Sequence, residues 1–151
     1  MPAVLSILVI AVDQLVKMYV EATMHLGQSI PVIQDIFHIT YALNPGAAFG
    51  ILANQRILFV LIGAALLCGA AYFYGWLKRQ DLLTRIGAGL LLGGAVGNLI
   101  DRVQSGLVVD FLDFRVWPVF NVADIAICLG CAFLVVYIFA FDKPEEKSGN
   151  V

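Results

Sequence analysis

The segment FNVADIAICLGCAFLVVYIFAF, residues 120–141, decides the fold of this chain. Residues 122–141 are apolar apart from Asp124, and about 20 apolar residues are enough for a helix to cross the hydrocarbon core of a membrane. A carboxylate placed about one turn into such a helix costs a few kcal/mol on insertion scales. We therefore expect Asp124 to be retained for a reason, and to share its site with other polar groups.

The composition places the whole chain in the integral-membrane class. Of its 151 residues, 61% are hydrophobic and 13% are charged, whereas soluble chains average roughly 25% charged residues. The formal net charge of −2 provides no basic field for nucleic acid. The start of the chain, MPAVLSILVIAVDQLVK, lacks the basic region and the cleavage site of a signal peptide. We interpret it as a retained first helix.

Three further segments join the last one as membrane spans. The four predicted spans are residues 3–20, 57–77, 82–100 and 122–141. This count predicts an all-α integral membrane protein with four transmembrane helices, a single domain over residues 1–151 and a disordered tail at 143–151. The outer stretches DIFHITYALN and LVVDFLDFRVWPVF have strand character, which predicts a small extracytoplasmic β-structure at the membrane face.

Basic residues predict the orientation of the bundle. Lys78, Arg79 and Arg85 cluster between the second and third spans, and the positive-inside rule places that end in the cytoplasm. With four spans, both termini are then cytoplasmic. Segments 21–56 and 101–121 face outward.

The cysteines and histidines do not form a metal-binding pattern. Cys128 and Cys131 lie three apart on one helical face, but a C-x-x-C pair needs further soft ligands. The histidines, His25 and His38, are distant from this pair in the sequence and are expected at the surface. We expect the three cysteines, Cys68 included, to serve packing, and we expect no metal and no other cofactor.

Polar residues near the outer ends of the spans are the informative ones. Asn98 and Arg102 are four apart and share a helix face, with Asp101 close to them. The full set is Asp13, Lys17, Asn44, Asn98, Asp101, Arg102, Asp110, Asn121 and Asp124. Because they lie near the outer ends of the predicted spans, we expect them to gather at one end of the bundle.

Structural interpretations of the same residues remain open. Asp13 and Lys17 could only neutralise each other and orient the first span. The acidic and basic pair at 101–102 could be an ordinary helix-end cluster. Asn121 could merely cap the fourth span, with Asp124 at the third helical position, where the helix dipole stabilises it.

Asp110 is harder to explain by structure alone, because it lies between apolar residues in a strand-like segment. If Asp110 meets Asp124, two carboxylates a few ångströms apart cannot both ionise easily, so the pair holds one proton. The ionised partner can then take a proton from water as the water attacks a carbonyl. The protonated partner can donate to the developing oxyanion. Such a pair needs neither a metal nor a covalent intermediate.

Several motifs in order resemble those of one family. The chain is similar to the bacterial lipoprotein signal peptidases, the signal peptidase II family, in DQLVK at 13–17, NPGAAFGIL at 44–52, GGAVGNLIDRVQSGLVVDFLDF at 93–114 and FNVAD at 120–124. The resemblance implies an aspartic endopeptidase of the inner membrane. Its implied activity removes the signal peptide from diacylglyceryl-modified prolipoproteins by cutting before the lipidated cysteine. Segment 22–43 is implied to supply the β-structure, together with a loop or short helix over the site.

The resemblance also assigns roles to residues. Asp110 and Asp124 are implied to be catalytic. The implied substrate-binding or supporting residues are Asn44, Gly46, Asn98, Arg102, Asn121, Asp13, Lys17 and Asp101. The implied partners are prolipoproteins and membrane lipids, without nucleic acid, and we expect a monomer whose active site lies near the outer face. Two departures are visible: no basic stub precedes the first span, and Ile125 stands where a small residue is common.

Three questions stay open at this point. The glycines of the third span, Gly89, Gly93, Gly94 and Gly97, could serve helix packing or a ligand groove. A proton or ion carrier is an alternative function, although the second and fourth spans carry no ionisable side chain at mid-depth beyond Cys and Tyr. A non-catalytic membrane scaffold is the other alternative.

Overall fold

The computed structural model describes residues 1–46 and 54–141, and this part of the chain contains four long helices. They are α1 (Pro2–Thr23), α2 (Arg56–Leu77), α3 (Leu82–Gln104) and α4 (Val122–Phe141). All four are long and apolar enough to cross a membrane. The predicted four-helix membrane class is therefore confirmed. The predicted tail at 143–151 and residues 47–52 of the NPGAAFGIL motif lie outside the described residues.

Local signals set the ends of the helices. Pro2 stands in the first turn of α1, where its missing N–H is not needed. Asp81 caps α3, because its carboxylate accepts the backbone N–H of Thr84 at 3.0 Å and the Thr84 hydroxyl at 2.6 Å. The helix α3 runs on to Gln104 rather than ending at residue 100. Residues 101 and 102 are consequently held on the helix and project from defined faces of it.

Helix α3 is the centre of the bundle and packs against α1, α2 and α4. Its glycines make this close approach possible. A Cβ at Gly97 would lie 2.6 Å from Oδ2 of Asp13 on α1, and a Cβ at Gly94 would collide with the carbonyl oxygen of Ala123 on α4. At these two positions the structure therefore favours helix packing over a ligand groove.

A three-stranded antiparallel sheet lies at one end of the bundle. Its strands are β1 (Ser29–Ile33), β2 (Phe37–Asn44) and β3 (Val108–Asp113), in the order β1-β2-β3. Val20 and Met24, near the end of α1, pack against Val109 and Phe111 of β3 and fix the sheet to the bundle. The predicted small β-structure is confirmed. Within residues 24–44, all of which the structure describes, the chain forms strands and turns and no helix.

The connections on either side of β3 bring the site together. A short turn containing Gly106, at φ +84°, leads from α3 into β3. After β3 the chain returns, and Leu112 forms an antiparallel bridge with Phe120, directly before α4. The centre of β3, the end of α3 and the start of α4 therefore meet in one place.

Candidate functional site

The motif FNVAD forms the start of α4 through a reciprocal pair of hydrogen bonds. The backbone N–H of Asp124 donates to Oδ1 of Asn121 at 2.9 Å, and the backbone N–H of Asn121 donates to Oδ2 of Asp124 at 3.2 Å. This is the geometry of a capping box, with Asp124 at the third helical position. The capping interpretation from the sequence is thus correct as a description of local structure. It leaves the second oxygen of Asp124 available for other contacts.

Asp110 occupies the middle of β3, opposite Ala42 of β2, and its residue is only 2% exposed. Its Oδ1 accepts a hydrogen bond from Nδ2 of Asn121 at 2.7 Å, and its Oδ2 accepts one from Nδ2 of Asn44 at 2.9 Å. Burial raises the pKa of the Asp110 carboxyl to about 7. The hydrogen bonds from Asn44 and Asn121 oppose this rise, and the charge of Asp124 adds to it.

Two asparagine side chains connect the two aspartates. Asn98 of α3 donates from Nδ2 to Oδ1 of Asp124 at 2.7 Å, and its Oδ1 accepts from Nδ2 of Asn121 at 3.1 Å. Asn121, which is fully buried, donates to Asp110 with the same amide nitrogen. A continuous chain of amide groups therefore runs from one carboxylate to the other.

A second polar cluster lies behind these amides and consists of Asp13, Gln14 and Lys17 of α1 with Asp101 of α3; we call it the inner cluster. Nζ of Lys17 lies 2.8 Å from Oδ2 of Asp13 and 2.7 Å from Oδ2 of Asp101. Nε2 of Gln14 donates to Oδ1 of Asp101 at 2.8 Å. Lys17 also donates to Oδ1 of Asn98 at 2.9 Å, so the inner cluster fixes which way that amide points.

The inner cluster also fastens the surrounding elements. Oδ1 of Asp13 accepts the backbone N–H of Ala123, in the first turn of α4, at 2.9 Å. Oδ2 of Asp101 accepts the backbone N–H of Val109, in β3, at 3.3 Å. The expected Asp13–Lys17 pair is therefore present, and it does more than neutralise charge within one helix.

The two aspartates line a cavity of about 440 Å³. Its polar end is formed by Asn44, Gly46, Asn98, Arg102, Asp110 and Asp124, and its apolar walls by Val108, Trp117, Pro118, Val119, Phe120, Ile125, Ile127, Cys128 and Leu129. The guanidinium of Arg102 donates to the carbonyl oxygen of Gly46 at 2.9 Å and to that of Asn98 at 3.3 Å. The arrangement can hold a polar bond at one end and apolar chains along the rest.

The structure divides the sequence-predicted residues into two groups. Six of them form the polar end of the cavity, and Asn121 lies directly behind it. Asp13, Lys17 and Asp101 lie in the inner cluster and do not line the cavity. Sequence reasoning missed Gln14 as a member of that cluster. Its signal was present, since Gln14 interrupts an apolar helix one residue after Asp13.

The three cysteines, which we expect to serve packing, lie on outward faces of their helices. Cys68, Cys128 and Cys131 are all exposed on their helices, and Cys128 lines the cavity. In a membrane bundle the outward helix faces are the apolar ones, so an apolar stretch does not imply burial inside the protein. Over the described ranges, 1–46 and 54–141, no three His, Cys, Asp or Glu residues are grouped as metal ligands.

Two solved structures share this architecture. Both are described as bacterial membrane enzymes determined by the in meso method. The one at 2.3 Å resolution has a TM-score of 0.88 and 32% identity, and the match covers 99% of this chain and 93% of that one. The one at 1.9 Å has a TM-score of 0.83 and 33% identity, with 93% of each chain covered. The fold and the cavity thus define a multi-pass membrane enzyme.

Sequence comparison gives the family. A family model described as Signal peptidase (SPase) II matches residues 5–140. The lipoprotein signal peptidase of Halothermothrix orenii is 44% identical over 147 residues, which is 97% of this chain and 98% of that protein. The corresponding proteins of Moorella thermoacetica and Bacillus subtilis are 50% and 42% identical, covering 86% and 95% of this chain and 87% and 96% of their own lengths. The chain belongs to the signal peptidase II family.

Family membership confirms the resemblance seen in the motifs. The chain is a bacterial lipoprotein signal peptidase by family, a multi-pass protein of the inner membrane whose substrates are prolipoproteins and whose surroundings are membrane lipids. The carrier and scaffold alternatives are not supported by this assignment.

Proposed function

We propose that Asp110 and Asp124 form an aspartic dyad, which activates water and cleaves diacylglyceryl-modified prolipoproteins before the lipidated cysteine. The observation that carries this proposal is that both carboxylates line one cavity and, among residues 1–46 and 54–141, accept hydrogen bonds only from amide groups. Within the described part of the chain, neither carboxylate forms an ion pair with a lysine or an arginine.

Amide donors suit a carboxylate that must change its protonation state. An ammonium or guanidinium group in contact would favour the ionised form strongly and would lower the pKa. Amide groups hold the carboxylate in place with a weaker preference for ionisation. Because the pKa of Asp110 is raised to about 7, the pair can hold one proton near neutral pH.

The dyad supplies both the base and the acid for hydrolysis. The water oxygen attacks the scissile carbonyl carbon while its proton passes to the ionised carboxylate, and the protonated carboxyl donates its proton to the carbonyl oxygen. A tetrahedral diol results. The diol then collapses: the C–N bond breaks, one carboxyl gives a proton to the departing nitrogen, and the other carboxylate takes a proton from a diol hydroxyl. The pair ends with one proton, as it began.

The remainder of the cavity supplies substrate binding. Asn44, Gly46 and Arg102 stand at the polar end, where a guanidinium and an amide can bind substrate carbonyl or ester oxygens. The wall formed by Ile125, Cys128 and Leu129 on α4 suits the apolar signal helix or the acyl chains. Asn98 and Asn121 support the dyad, and the inner cluster supports Asn98.

The chain functions on this proposal as one domain and as a monomer. The turn between α2 and α3 carries Lys78 and Arg79, which favours a cytoplasmic position for that end. The sheet and the dyad lie at the other end of the bundle, which supports a site near the outer face and both termini in the cytoplasm. A reporter that is active only outside the cytoplasm should be inactive when it is fused to the C-terminus. Activity of this fusion would contradict the proposed orientation.

Substitution of the dyad tests the mechanism. We expect Asp110→Asn and Asp124→Asn each to lower the rate of signal-peptide removal by at least about 10³-fold, since each removes a proton-transfer group. The measurement is conversion of a purified lipidated precursor, followed by gel shift. Asp113→Asn is the matched control, because Asp113 is a buried aspartate on the same strand outside the cavity. Full activity in either dyad variant would remove the proposed mechanism.

A further inference from the structure

The side chain of Arg102 lies beside the two aspartates but does not pair with them. It lines the same cavity, yet its guanidinium donates to the carbonyl oxygens of Gly46 and Asn98. Among the residues that the structure describes, no carboxylate forms an ion pair with it. A guanidinium and two carboxylates that line one cavity attract one another. Other contacts must therefore keep the guanidinium of Arg102 from pairing with a dyad carboxylate.

The ring of Phe59 is the group in position to do this. Phe59 lies in the first turns of α2, and the Cζ atom of Arg102 stands 4.5 Å from its ring centroid. At this distance the negative face of the ring attracts the guanidinium. Phe59 itself does not line the cavity. The guanidinium of Arg102 is thus held by an aromatic ring and two carbonyl oxygens, all of which are uncharged.

We propose that Phe59 is a positioning residue, which holds the Arg102 guanidinium beside the dyad so that its donors serve the substrate while the two aspartates keep their shared proton. The inference rests on the proposed dyad and deepens it. Phe59 does not touch the reacting atoms; it acts through Arg102.

The other charged groups near the dyad are fixed by different contacts. Lys17 and Asp13 approach from α1 and Asp101 from α3, and these three are bound to one another. Arg102 is the cation near the dyad that has no carboxylate partner within the described residues. Loss of the Phe59 ring should therefore release Arg102 and leave the inner cluster unchanged.

The test replaces the ring and follows the pH profile. In Phe59→Leu, Arg102 is free to contact a dyad carboxylate, and an opposite charge at contact distance lowers a carboxyl pKa by about one unit or more. We expect the alkaline fall of kcat/KM to move down by about one pH unit, so that kcat/KM at alkaline pH drops about tenfold relative to the parent. The probe is a synthetic diacylglyceryl lipopeptide with a fluorophore and a quencher.

Three further variants separate positioning from packing. Phe59→Tyr keeps an aromatic face and should keep the parental pH profile. A trifluorinated phenylalanine introduced at position 59 keeps the ring shape but weakens its negative face, and should reproduce part of the Leu shift even if Phe59→Leu folds poorly. Phe73→Leu is the matched control, because Phe73 is an exposed aromatic residue on the same helix.

The outcomes distinguish this inference from the dyad proposal. If the pH profiles of the Leu and fluorinated variants superimpose on the parental one, with a rate change that is uniform over pH, the role of Phe59 is packing and the inference is wrong. That result would leave the dyad intact provided that Asp110→Asn and Asp124→Asn are inactive. If those two variants remain active, the dyad fails first and the inference fails with it.

Discussion

Two groups of aspartates lie side by side in this protein, and their carboxylates have different kinds of partner. Asp13 and Asp101 of the inner cluster share the ammonium group of Lys17, at 2.8 Å and 2.7 Å. Asp110 and Asp124 share a cavity and are bound by amides. The side chain of Asn98 connects the two groups, because its Oδ1 accepts a hydrogen bond from Lys17 and its Nδ2 donates one to Asp124.

The difference shows what each group is suited to do. A carboxylate that also contacts an ammonium serves as a fixed acceptor for backbone N–H groups, as Asp13 does for Ala123. A carboxylate held by amides can gain or lose a proton without a large change in its contacts. The contacts of the inner cluster therefore suit assembly of the helices, and those of the proposed dyad suit proton transfer.

The largest effect is expected from breaking the inner cluster. Lys17→Met leaves two buried carboxylates without their cation, and removal of one partner from a buried ion pair destabilises a protein by about 3–5 kcal/mol. We expect the thermal unfolding midpoint, followed by circular dichroism in detergent, to fall sharply in this variant.

A second substitution checks the cause of that loss. The combined variant Lys17→Met with Asp101→Asn removes one of the two stranded charges. It should unfold at a higher temperature than Lys17→Met alone. An unchanged midpoint in Lys17→Met would show that the ion contacts of the inner cluster contribute little.

The dyad should reveal itself in the pH dependence of activity, an effect of about tenfold per pH unit. A carboxyl whose pKa is raised to about 7 keeps its proton below that pH and loses it above. Because the proposed reaction needs one proton on the pair, kcat/KM should fall as the pH rises beyond about 7. The same lipopeptide assay over a pH series measures this.

A substitution at Asn44 tests whether the alkaline fall of kcat/KM belongs to Asp110. Its hydrogen bond favours the ionised form of Asp110 and lowers the pKa. In Asn44→Ala the alkaline fall should therefore move to higher pH, whatever happens to the maximal rate. A shift to lower pH would contradict the assignment of this limb to Asp110.

The smallest effect is expected from a fifth aspartate, whose carboxylate contacts both a neutral donor and a cation. Asp113 at the end of β3 is buried, and its carboxylate accepts from the hydroxyl of Thr40 at 2.7 Å and from the half-exposed Arg115 at 3.0 Å. Thr40→Val removes one donor and should lower the free energy of unfolding by about 1 kcal/mol with activity retained. Thr23→Val, at an exposed threonine, should change it much less. Equal losses in both variants would show that the Thr40 hydrogen bond has no special weight.

Much of the fold follows from composition and periodicity. Four apolar segments predict four spans, and alternating residues such as those of DIFHITYALN predict strands, because membrane helices and strands have strong local signatures. The predicted third span ends at residue 100, where polar residues end the apolar run. The helix continues to Gln104, since Asp101 and Arg102 find partners inside the protein.

The residues of the site could be predicted from the sequence, but their separation into the dyad and the inner cluster could not. The sequence shows which polar residues are out of place in apolar segments, and the structure brings the predicted site residues together around the cavity and in the inner cluster. Which aspartate meets Lys17 and which meets an asparagine depends on the rotation of α1 and α3 about their axes. The role of Phe59 could not be seen at all, because its partner lies on another helix.

The bond from Ala123 to Asp13 has a consequence for the timing of synthesis. A carboxylate of α1 accepts a backbone N–H in the first turn of α4, and that same turn carries Asp124. On the proposed mechanism, the growing chain has no protease activity until its final span has been inserted and has met its first. A protease built this way is inactive while it is being made.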